Sequence, residues 1–398
     1  MVSGDFPIVS VWAFQSGTTW AKVASLEQYD SLQFEPRFLE AGSWEMVLPY
    51  DTVSQAITAD RLYTVDWRGR RTTWCLDRFN PASQASGVPN SVGGRLLQHR
   101  GPTLTVGGPG ALSLLGRELA WADPTLGASS QPATSPLTTG AAETVIRSLV
   151  SGNYVTRRGD PLYLPADGAR GTTIRARPRF DNLLELVAKK AKNGGIGVDV
   201  GLVDTTSTRA RLELIVWTPA DKSVRVRLSE RAGSLAGWSQ TNTAPTATKA
   251  LVTGAEGSLA ALRSVVTTAA GDAAAATWGG HRVVYVQGPA SYDAADITQA
   301  GTEALDTGVA VTNVALEALD SPGLMAFRDY QVGDKVMGQL STGTTLVDVI
   351  SSIGVTVGEA APEVVPTFGD PASDEPMVGL AQLQRAMNRR IRLLEQRT

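Results

Sequence analysis

The residue types that carry most enzyme chemistry are sparse in this chain. Cys75 is the only cysteine, so an intrachain disulfide and a multi-cysteine metal site are both excluded. A thiol nucleophile would need a base from His99 or His281, the only two histidines. All three residues lie in segments typical of β-strands. We therefore interpret Cys75 as a small buried apolar residue, and the two histidines as ordinary surface or partly buried side chains.

A glycine-rich stretch, GGPGALSLLG at 107–116, shares only its composition with a phosphate-binding loop. Pro109 interrupts it, its spacing fits neither GxxxxGK[ST] nor GxGxxG, and no Lys-Ser or Lys-Thr pair follows. The stretch instead predicts a turn from a strand into a helix. The sequence also has no GxSxG elbow, no HExxH and no carboxylate-rich calcium loop. We therefore predict no catalytic residue, no cofactor and no metal ligand, and we do not expect an enzyme.

Carboxylates and tryptophans are the remaining groups that could act on sugars. Asp320, Asp329 and Asp334 are close in sequence, and a carboxylate pair could hydrolyse a glycoside. Capping of strands and turns explains them more simply. Five of the nine tryptophans fall in strand-like segments, where packing in a core is the favoured interpretation over sugar stacking. These five are Trp12, Trp20, Trp44, Trp67 and Trp74.

Length and composition bound the class of protein. A chain of 398 residues predicts two to four domains, and 40 Gly and 21 Pro favour many short strands joined by turns. A net charge of -3 with an isoelectric point near 5.6 argues against a nucleic-acid-binding protein. No stretch approaches the roughly 18–20 apolar residues that span a bilayer, and the start lacks the pattern of a signal peptide. We expect a soluble protein with no integral membrane segment.

Short strands dominate two regions, and helices lie between them. From Ile8 to about Val106, strand-like runs of four to nine residues predict an antiparallel barrel or sandwich. From 111 to 232 the pattern is α+β, with helices predicted in ALSLLGRELAWADP, AAETVIRSLVSGNYV and RFDNLLELVAKKAKNGG, the last capped by Asp181. Strands dominate again from 233 to about 358, with a short helix expected at 297–308.

The C-terminal segment carries an amphipathic pattern. Residues 360–376 are rich in proline and acidic residues and predict a linker. Residues 377–398 then predict a helix with arginines on one side and an apolar stripe on the other. The stripe consists of Leu380, Leu383, Met387, Ile391 and Leu394. A lone helix cannot bury these side chains, so we predict that they form an interface with a partner, with the body of the chain or in a short coiled coil.

The run LQFEPRFLEAGSWEMVLPYD at 32–51 predicts a β-hairpin with its turn at Ala41-Gly42-Ser43 and with Trp44, Met46 and Leu48 on one face. It resembles the opening hairpin of phage tail-tip hub proteins, namely the Gp37-like minor tail proteins of siphoviruses. GPGALSLLGRELAWADP resembles the passage that follows the first barrel strands in that family, and the two later helical segments resemble its inserted domain. DYQVGDKV at 329–336 is similar to its late-barrel turn motif.

The resemblance covers about residues 5–350 in matching order. It implies a mainly β fold with an α+β insertion, in which two β-barrel-like hub domains form a ring that continues the tail tube. The implied domains are a first barrel at 1–110, the insertion at 111–232 and a second barrel at 233–359. The linker at 360–376 and the short C-terminal helix at 377–398 follow, where larger relatives carry an enzymatic or receptor-binding domain.

The resemblance also implies a role and partners. It implies a non-catalytic, homotrimeric tail-tip subunit in the virion, in contact with a distal tail protein, a tape-measure protein and downstream tail-tip or fibre proteins. DNA would only pass through the lumen during genome ejection. One alternative of another class stays open, a tail module that attaches to carbohydrate of the host envelope, which would require an exposed aromatic cluster over a groove.

Overall fold

The structure is a computed structural model, and it describes most of the chain up to Phe368. The described residues are 6–49, 57–58, 60–76, 90–92, 95–100, 103–132, 135–254, 263–288, 292–308, 311–318, 323–340, 343, 345–358 and 362–368. The predicted helix at 377–398, with its five stripe residues, lies outside them.

The described part of the N-terminal region contains nine strands, where the sequence predicts a succession of short strands. They are β1 (Ile8–Ser16), β2 (Thr19–Leu26), β3 (Ser31–Arg37), β4 (Glu40–Pro49), β5 (Leu62–Trp67), β6 (Arg70–Cys75), β7 (Asn90–Val92), β8 (Arg95–Arg100) and β9 (Thr103–Pro109).

The middle region mixes helices and strands. It contains a 3-10 helix (Ala111–Arg117), β10 (Leu119–Ala120), a short 3-10 turn (Ala128–Ser130), β11 (Thr138–Ala141), α1 (Ala142–Val150), a π-helical segment (Ser151–Arg157), β12 (Thr173–Ala176), β13 (Asp181–Asn182), α2 (Leu183–Gly194), β14 (Gly197–Thr206), β15 (Arg209–Trp217) and β16 (Arg227–Ser229).

The last region is again rich in strands. It contains β17 (Leu235–Thr243), β18 (Lys249–Thr253), β19 (Arg263–Thr267), α3 (Ala269–Thr277), β20 (Val283–Gln287), α4 (Ala294–Gly308), β21 (Val311–Ala318), β22 (Lys335–Gln339), β23 (Thr345–Val357) and β24 (Glu363–Phe368). None of the helices in the described residues is long and apolar enough to cross a bilayer.

The largest sheet joins the two predicted β regions. Its main path runs β17-β21-β24-β23-β3-β4-β9-β8-β7, and β22 connects β16 to β23. Within this sheet the two regions meet at the antiparallel pair of β3 and β23, in which Phe34 lies opposite Val355. The hairpin of β3 and β4 is therefore a central part of this sheet. Its Trp44, Met46 and Leu48 are buried, which confirms their predicted place in the core.

The second sheet has six strands, in the order β14-β15-β2-β1-β5-β6, and separates two hydrophobic cores. Because successive strand residues point to opposite faces, Tyr63 and Val65 of β5 pack towards the large sheet, whereas Leu62 packs towards α1 and α2. At β1 and β5 both faces are covered, so the residues from Val9 to Trp12 and from Leu62 to Val65 are buried on both sides. A third, smaller core lies between α4 and the three-stranded sheet β19-β18-β20.

The outer strands of the six-stranded sheet, β6 and β14, lie next to each other. They share no backbone ladder in the described residues. Side chains bridge them instead: the Leu202 N–H donates to Thr73 Oγ1 at 2.9 Å, and Arg71 forms an ion pair with Asp204. The sheet therefore curves towards a barrel, but in the described residues no backbone hydrogen bonds between β6 and β14 close it.

The predicted hairpin turn at Ala41-Gly42-Ser43 is wrong by three residues. Arg37 pairs with Glu40, so the turn consists of Phe38 and Leu39, with Leu39 at a φ of 60°. Gly42 instead lies in a bulge opposite Pro36, where the register shifts, and has a φ of 62°. A glycine signals a left-handed backbone in either place, so the sequence does not distinguish a bulge from a turn.

Three other sequence predictions need correction. The predicted helix at ALSLLGRELAWADP is only a 3-10 helix, because Leu119 and Ala120 leave it to pair with Asn182 and Asp181. The cap of α2 is Asn182, whose Oδ1 accepts from the Leu184 N–H, and not Asp181. Residues 363–368, within the predicted linker, form β24 and pair with β23 and β21. The domain boundaries themselves stay a prediction.

We expect Gly42→Ala to destabilise the hairpin strongly. A Cβ atom there would lie 2.3 Å from the Glu35 carbonyl oxygen, and the positive φ adds strain, so the loss of unfolding free energy should be about 1–3 kcal/mol. Gly17→Ala is the matched control, because Gly17 also has a positive φ but nothing within 4 Å. Denaturant titration should show the larger loss for Gly42→Ala, and equal losses would contradict the bulge.

Candidate functional site

Cys75 and His281, the candidates for nucleophilic chemistry whose side chains the structure describes, lie in different parts of the fold. Cys75 is buried in the core beside α1 and α2. His281 is in the unit formed by β18–β20, α3 and α4, where its Nδ1 is 3.4 Å from Thr248 Oγ1 and its Nε2 is 4.0 Å from Asp272. The side chain of His99 lies outside the described residues. The interpretation of Cys75 as a buried apolar residue is confirmed.

The carboxylates of the late motif cap turns, as predicted. Asp329 accepts the Met325 N–H at 2.7 Å, and the buried Asp334 accepts the Gln331 N–H at 2.9 Å. Asp334 also forms an ion pair with Lys222 at 2.8 Å. Gly333 has a φ of 89°, and Val336 enters β22 fully buried. The VGDKV motif therefore builds a turn that delivers a core strand. Asp320 lies outside the described residues.

The aromatic side chains give little support to sugar binding. Trp12, Trp20, Trp44, Trp67 and Trp74 are all buried, which confirms their predicted packing in the core. Phe180 is exposed and meets Trp121 edge-on, with ring centroids 5.1 Å apart. The Arg157 guanidinium lies 3.5 Å from the centre of the Trp121 ring. Trp121 is half-buried and arginine covers one face of its ring, so this aromatic pair offers little surface for stacking on a sugar.

A cleft lies at the junction of β6 and β14. It has a volume of about 550 Å³ and is lined by the β5–β6 turn, by β14 and by the start of β1. Its rim carries four exposed apolar side chains, Phe6, Ile8, Val203 and Ile215. Exposed apolar side chains gathered at one cleft are typical of a contact surface for another chain.

Arginine and aspartate side chains line the same cleft. Arg71 forms ion pairs with Asp66, at 2.6 Å, and with Asp204, and its guanidinium lies 5.5 Å from the centre of the Trp12 ring. Burial would lower the pKa of Arg71, but Asp66 and Asp204 together raise it above its usual value. Arg71 is therefore a fixed charge that joins β6 to β14, not a proton donor.

Asp199 is the titratable residue in the cleft whose pKa is most unusual. Its side chain is half-buried on the outer face of β14. Desolvation there raises its pKa to about 7, whereas the hydrogen bond that its Oδ1 accepts from the Val200 N–H at 2.8 Å opposes this. Asp199 interrupts the otherwise apolar run GIGVDVGL. This interruption was the only feature of the sequence that could have marked Asp199 as unusual. The cleft itself brings together residues about 130 positions apart and was not predicted.

Side chains occupy the outer edge of β14. Asp199 accepts the Val200 N–H, and Thr73 Oγ1 accepts the Leu202 N–H, so two edge donors are already satisfied. A strand edge protected in this way is a poor template for pairing with another strand. The cleft can therefore bind a partner through its side chains, but not by extending the sheet at these two positions.

The arrangement offers little for catalysis or metal binding. Within the described residues, no group of three or more His, Cys, Asp or Glu side chains is placed to hold a metal ion. The cleft contains carboxylates and guanidinium groups but no cysteine or histidine. Its chemistry suits the recognition of another surface. The predicted interface stripe from Leu380 to Leu394 lies beyond the described part of the chain and stays a prediction.

Comparisons with known proteins extend over nearly the whole chain. The family model described as Siphovirus ReqiPepy6 Gp37-like protein matches residues 9–370. The 43 kDa tail protein of prophage MuSo2 from Shewanella oneidensis has a similar structure, with a TM-score of 0.53 and 14% sequence identity, over 92% of this chain and 100% of that one. A tail protein from Neisseria meningitidis MC58 gives a TM-score of 0.52 and 12% identity, over 92% and 97%. No curated protein sequence matches the chain.

Proposed function

The chain belongs to the Siphovirus ReqiPepy6 Gp37-like family, and from this premise we propose that it is a non-catalytic structural subunit of a phage tail tip, a baseplate hub protein. In this role it closes the tail tube and connects it to distal fibre or spike proteins. The match of the family over residues 9–370 is the observation that carries the proposal. The shared fold with two tail proteins over 92% of the chain supports it.

The proposed assembly is a homotrimer. In it, each chain contributes two barrel-like units to a six-membered ring, and a distal tail protein, a tape-measure protein and downstream tail-tip or fibre proteins are its neighbours. The curled six-stranded sheet and the large sheet that joins both β regions support this use, because rigid β units suit a ring wall. The cleft between β6 and β14, with its exposed apolar rim, is a candidate contact with a neighbouring subunit.

The charge of the chain is compatible with passage of DNA. A net charge of -3 does not favour tight binding to phosphates, so DNA can move through a lumen formed by copies of this chain during genome ejection. Neither a cofactor nor a metal is needed for this role. The proposed place of the protein is the tail tip of the virion.

We expect the purified protein to be a trimer with a central opening. Mass measurement of the full chain across a range of concentrations, followed by low-resolution imaging, should give three copies around a lumen wide enough for a DNA duplex. Replacing Ile8 and Ile215 on the cleft rim with Asp should weaken assembly if this cleft is an interface, whereas the same change at the exposed Val224 should not. A strict monomer at high concentration would contradict the hub role.

A further inference from the structure

Helix α4 has one face that packs on its own sheet. Ile297, Gly301 and Leu305 follow one another at intervals of four residues, and Ile297 and Leu305 are buried in the small core. A Cβ atom on Gly301 would lie 2.4 Å from Val266 Cγ2, so the helix approaches the sheet closely. The unit formed by β18–β20, α3 and α4, called the small unit below, is therefore held together from within by apolar contacts.

Another face of α4 is polar and lies against the middle region. It carries Asp296, Gln299 and Glu303, at intervals of three and four residues. Asp296 forms ion pairs with Arg175 at 2.8 Å and with Arg177 at 2.9 Å, on and beside β12. Gln299 Nε2 donates to the Arg175 carbonyl oxygen at 3.0 Å. This half of the contact thus consists of ion pairs and a hydrogen bond.

Glu303 makes the other half of the contact, with helix α2. Its carboxylate pairs with Lys189 at 2.7 Å and with Lys190 at 2.6 Å, and it accepts from Asn193 Nδ2 at 2.7 Å. Among the described residues, the small core shares no member with the core beside α1 and α2. The small unit therefore meets the middle region through carboxylates on one side and cations on the other.

Separating two such surfaces costs less than opening an apolar core. Charges that part return to water, which offsets much of the lost attraction. Because the small core lies on the other side of α4, its apolar side chains stay buried when this polar contact opens. Units with separate cores and a polar contact between them are those for which relative motion is expected.

The small unit is also joined to the large sheet at one narrow place. Its two ends meet there, because the Thr246 and Ala247 N–H groups both donate to the Gly308 carbonyl oxygen, at 2.9 and 3.0 Å. Thr243 and Val311, at the neighbouring ends of β17 and β21, pair with each other in the large sheet. An attachment whose two ends lie side by side can act as a hinge.

We propose that the small unit is a hinged arm, which the ion pairs of Asp296 and Glu303 hold closed against the middle region and which swings away as one body when they are broken. Opening releases four cationic side chains from these carboxylates, namely Arg175, Arg177, Lys189 and Lys190. The inference goes beyond the proposed tail-tip role and concerns a single chain. Failure of the proposed trimer would therefore leave it standing.

Distances between spin labels test the motion in the full-length protein. Labels at Glu185→Cys on α2 and Ala295→Cys on α4 report opening, and labels at Val283→Cys and Ala295→Cys report the small unit by itself. The three side chains are exposed, whereas the only natural cysteine, Cys75, is buried. In the parent protein each pair should give one narrow distribution of distances.

Asp296→Asn combined with Glu303→Gln removes both carboxylate charges with little change of shape. The distance from α2 to α4 should then shift to larger values in most molecules, while the distance within the small unit stays unchanged, because the small core is intact. Asp272→Asn, at an exposed carboxylate of the same unit, is the matched control and should alter neither distance. An unchanged distance from α2 to α4 would overturn the proposal. A changed distance within the unit would overturn it too, since the unit would then unfold rather than swing.

A second pair of variants separates the charges from the side chains. Lys190→Met combined with Glu303→Leu removes both charges of the buried pair and leaves apolar side chains that can pack, so the distance from α2 to α4 should remain that of the parent. Glu303→Ala leaves the Lys190 ammonium without its carboxylate and should shift that distance. Equal shifts in the two variants would overturn the assigned role of the ion pairs.

Discussion

Glu303→Ala should cost about 3–5 kcal/mol in the free energy that holds α4 in place, since breaking a buried ion pair leaves an uncompensated charge. Glu303 is 7% exposed, and one carboxylate oxygen accepts from Lys190 at 2.6 Å, from Asn193 at 2.7 Å and from Gln299 at 2.7 Å. The other oxygen pairs with Lys189 at 2.7 Å. Removal of the carboxylate therefore leaves the buried Lys190 ammonium without its partner.

Hydrogen exchange of the α4 amides is the suitable measurement, because it reports local opening of this unit even where other parts of the chain stay folded. Lys189→Ala is the control: the Lys189 side chain is half exposed, so its loss should cost at most about 1 kcal/mol. Similar losses of free energy in Glu303→Ala and Lys189→Ala would show that burial does not determine how much the ion pair of Glu303 and Lys190 stabilises α4. Lys190→Met combined with Glu303→Leu should recover part of the loss, because it removes both charges.

The same pair predicts sensitivity to acid. Burial alone would raise the pKa of Glu303, but Lys190, Lys189 and Gln299 hold it below its usual value. A carboxylate whose folded-state pKa is lowered stabilises the fold above the unfolded pKa of about 4.3 and loses this effect as the pH falls. Asp296 behaves in the same way, because Arg175, Arg177 and the Asp293 N–H outweigh its burial. We therefore expect the contact between α4 and the middle region to weaken as the pH falls.

Asp199→Asn should stabilise the protein at pH 8 by about 2–4 kcal/mol, the second large effect that we expect. Burial raises the pKa of Asp199 to about 7, from about 3.9 in an unfolded chain, and each unit corresponds to about 1.4 kcal/mol. Because the Asp199 side chain is half-buried at the cleft, water screens part of its charge, and the lower figure is the better guide. Asparagine keeps the oxygen that accepts the Val200 N–H, but it carries no charge.

The sign of the pH dependence follows from the raised pKa. Below about pH 4, Asp199 is protonated in the folded and unfolded states alike, so parent and variant should have similar stability. Between about pH 4 and 7 the unfolded state releases the proton first, so the parent loses stability as the pH rises while the variant does not. Denaturant titrations at several pH values should show this growing difference.

Asp204→Asn is the control for the cleft. Asp204 is half exposed and pairs with Arg71, so its loss should destabilise by at most about 1 kcal/mol, the opposite sign to Asp199→Asn. A pH-independent effect of Asp199→Asn, or stabilisation by both variants, would contradict the raised pKa of Asp199.

The local patterns of the sequence determined much of the architecture. Alternation in SWEMVLP placed Trp44, Met46 and Leu48 in a core, and the period of the apolar residues identified α1 and α2, because both signals lie within one element. The VGDKV turn was predictable for the same reason, since Gly333 and Asp334 act on their nearest neighbours. The order of these motifs along the chain also carried the family resemblance, which the match over residues 9–370 confirms.

Only the tertiary structure decided what depends on distant residues. The pairing of β3 with β23, the cleft between β6 and β14, and the contact of Glu303 with Lys190 each join segments more than 100 positions apart. The alternation of residues in a strand indicates which of its faces is apolar, but not which strand pairs with it. The backbone N–H and C=O groups of a strand can bond equally well to many other strand edges. The unusual pKa of Asp199 arises in the same way: its burial comes from elements that the local sequence does not contain.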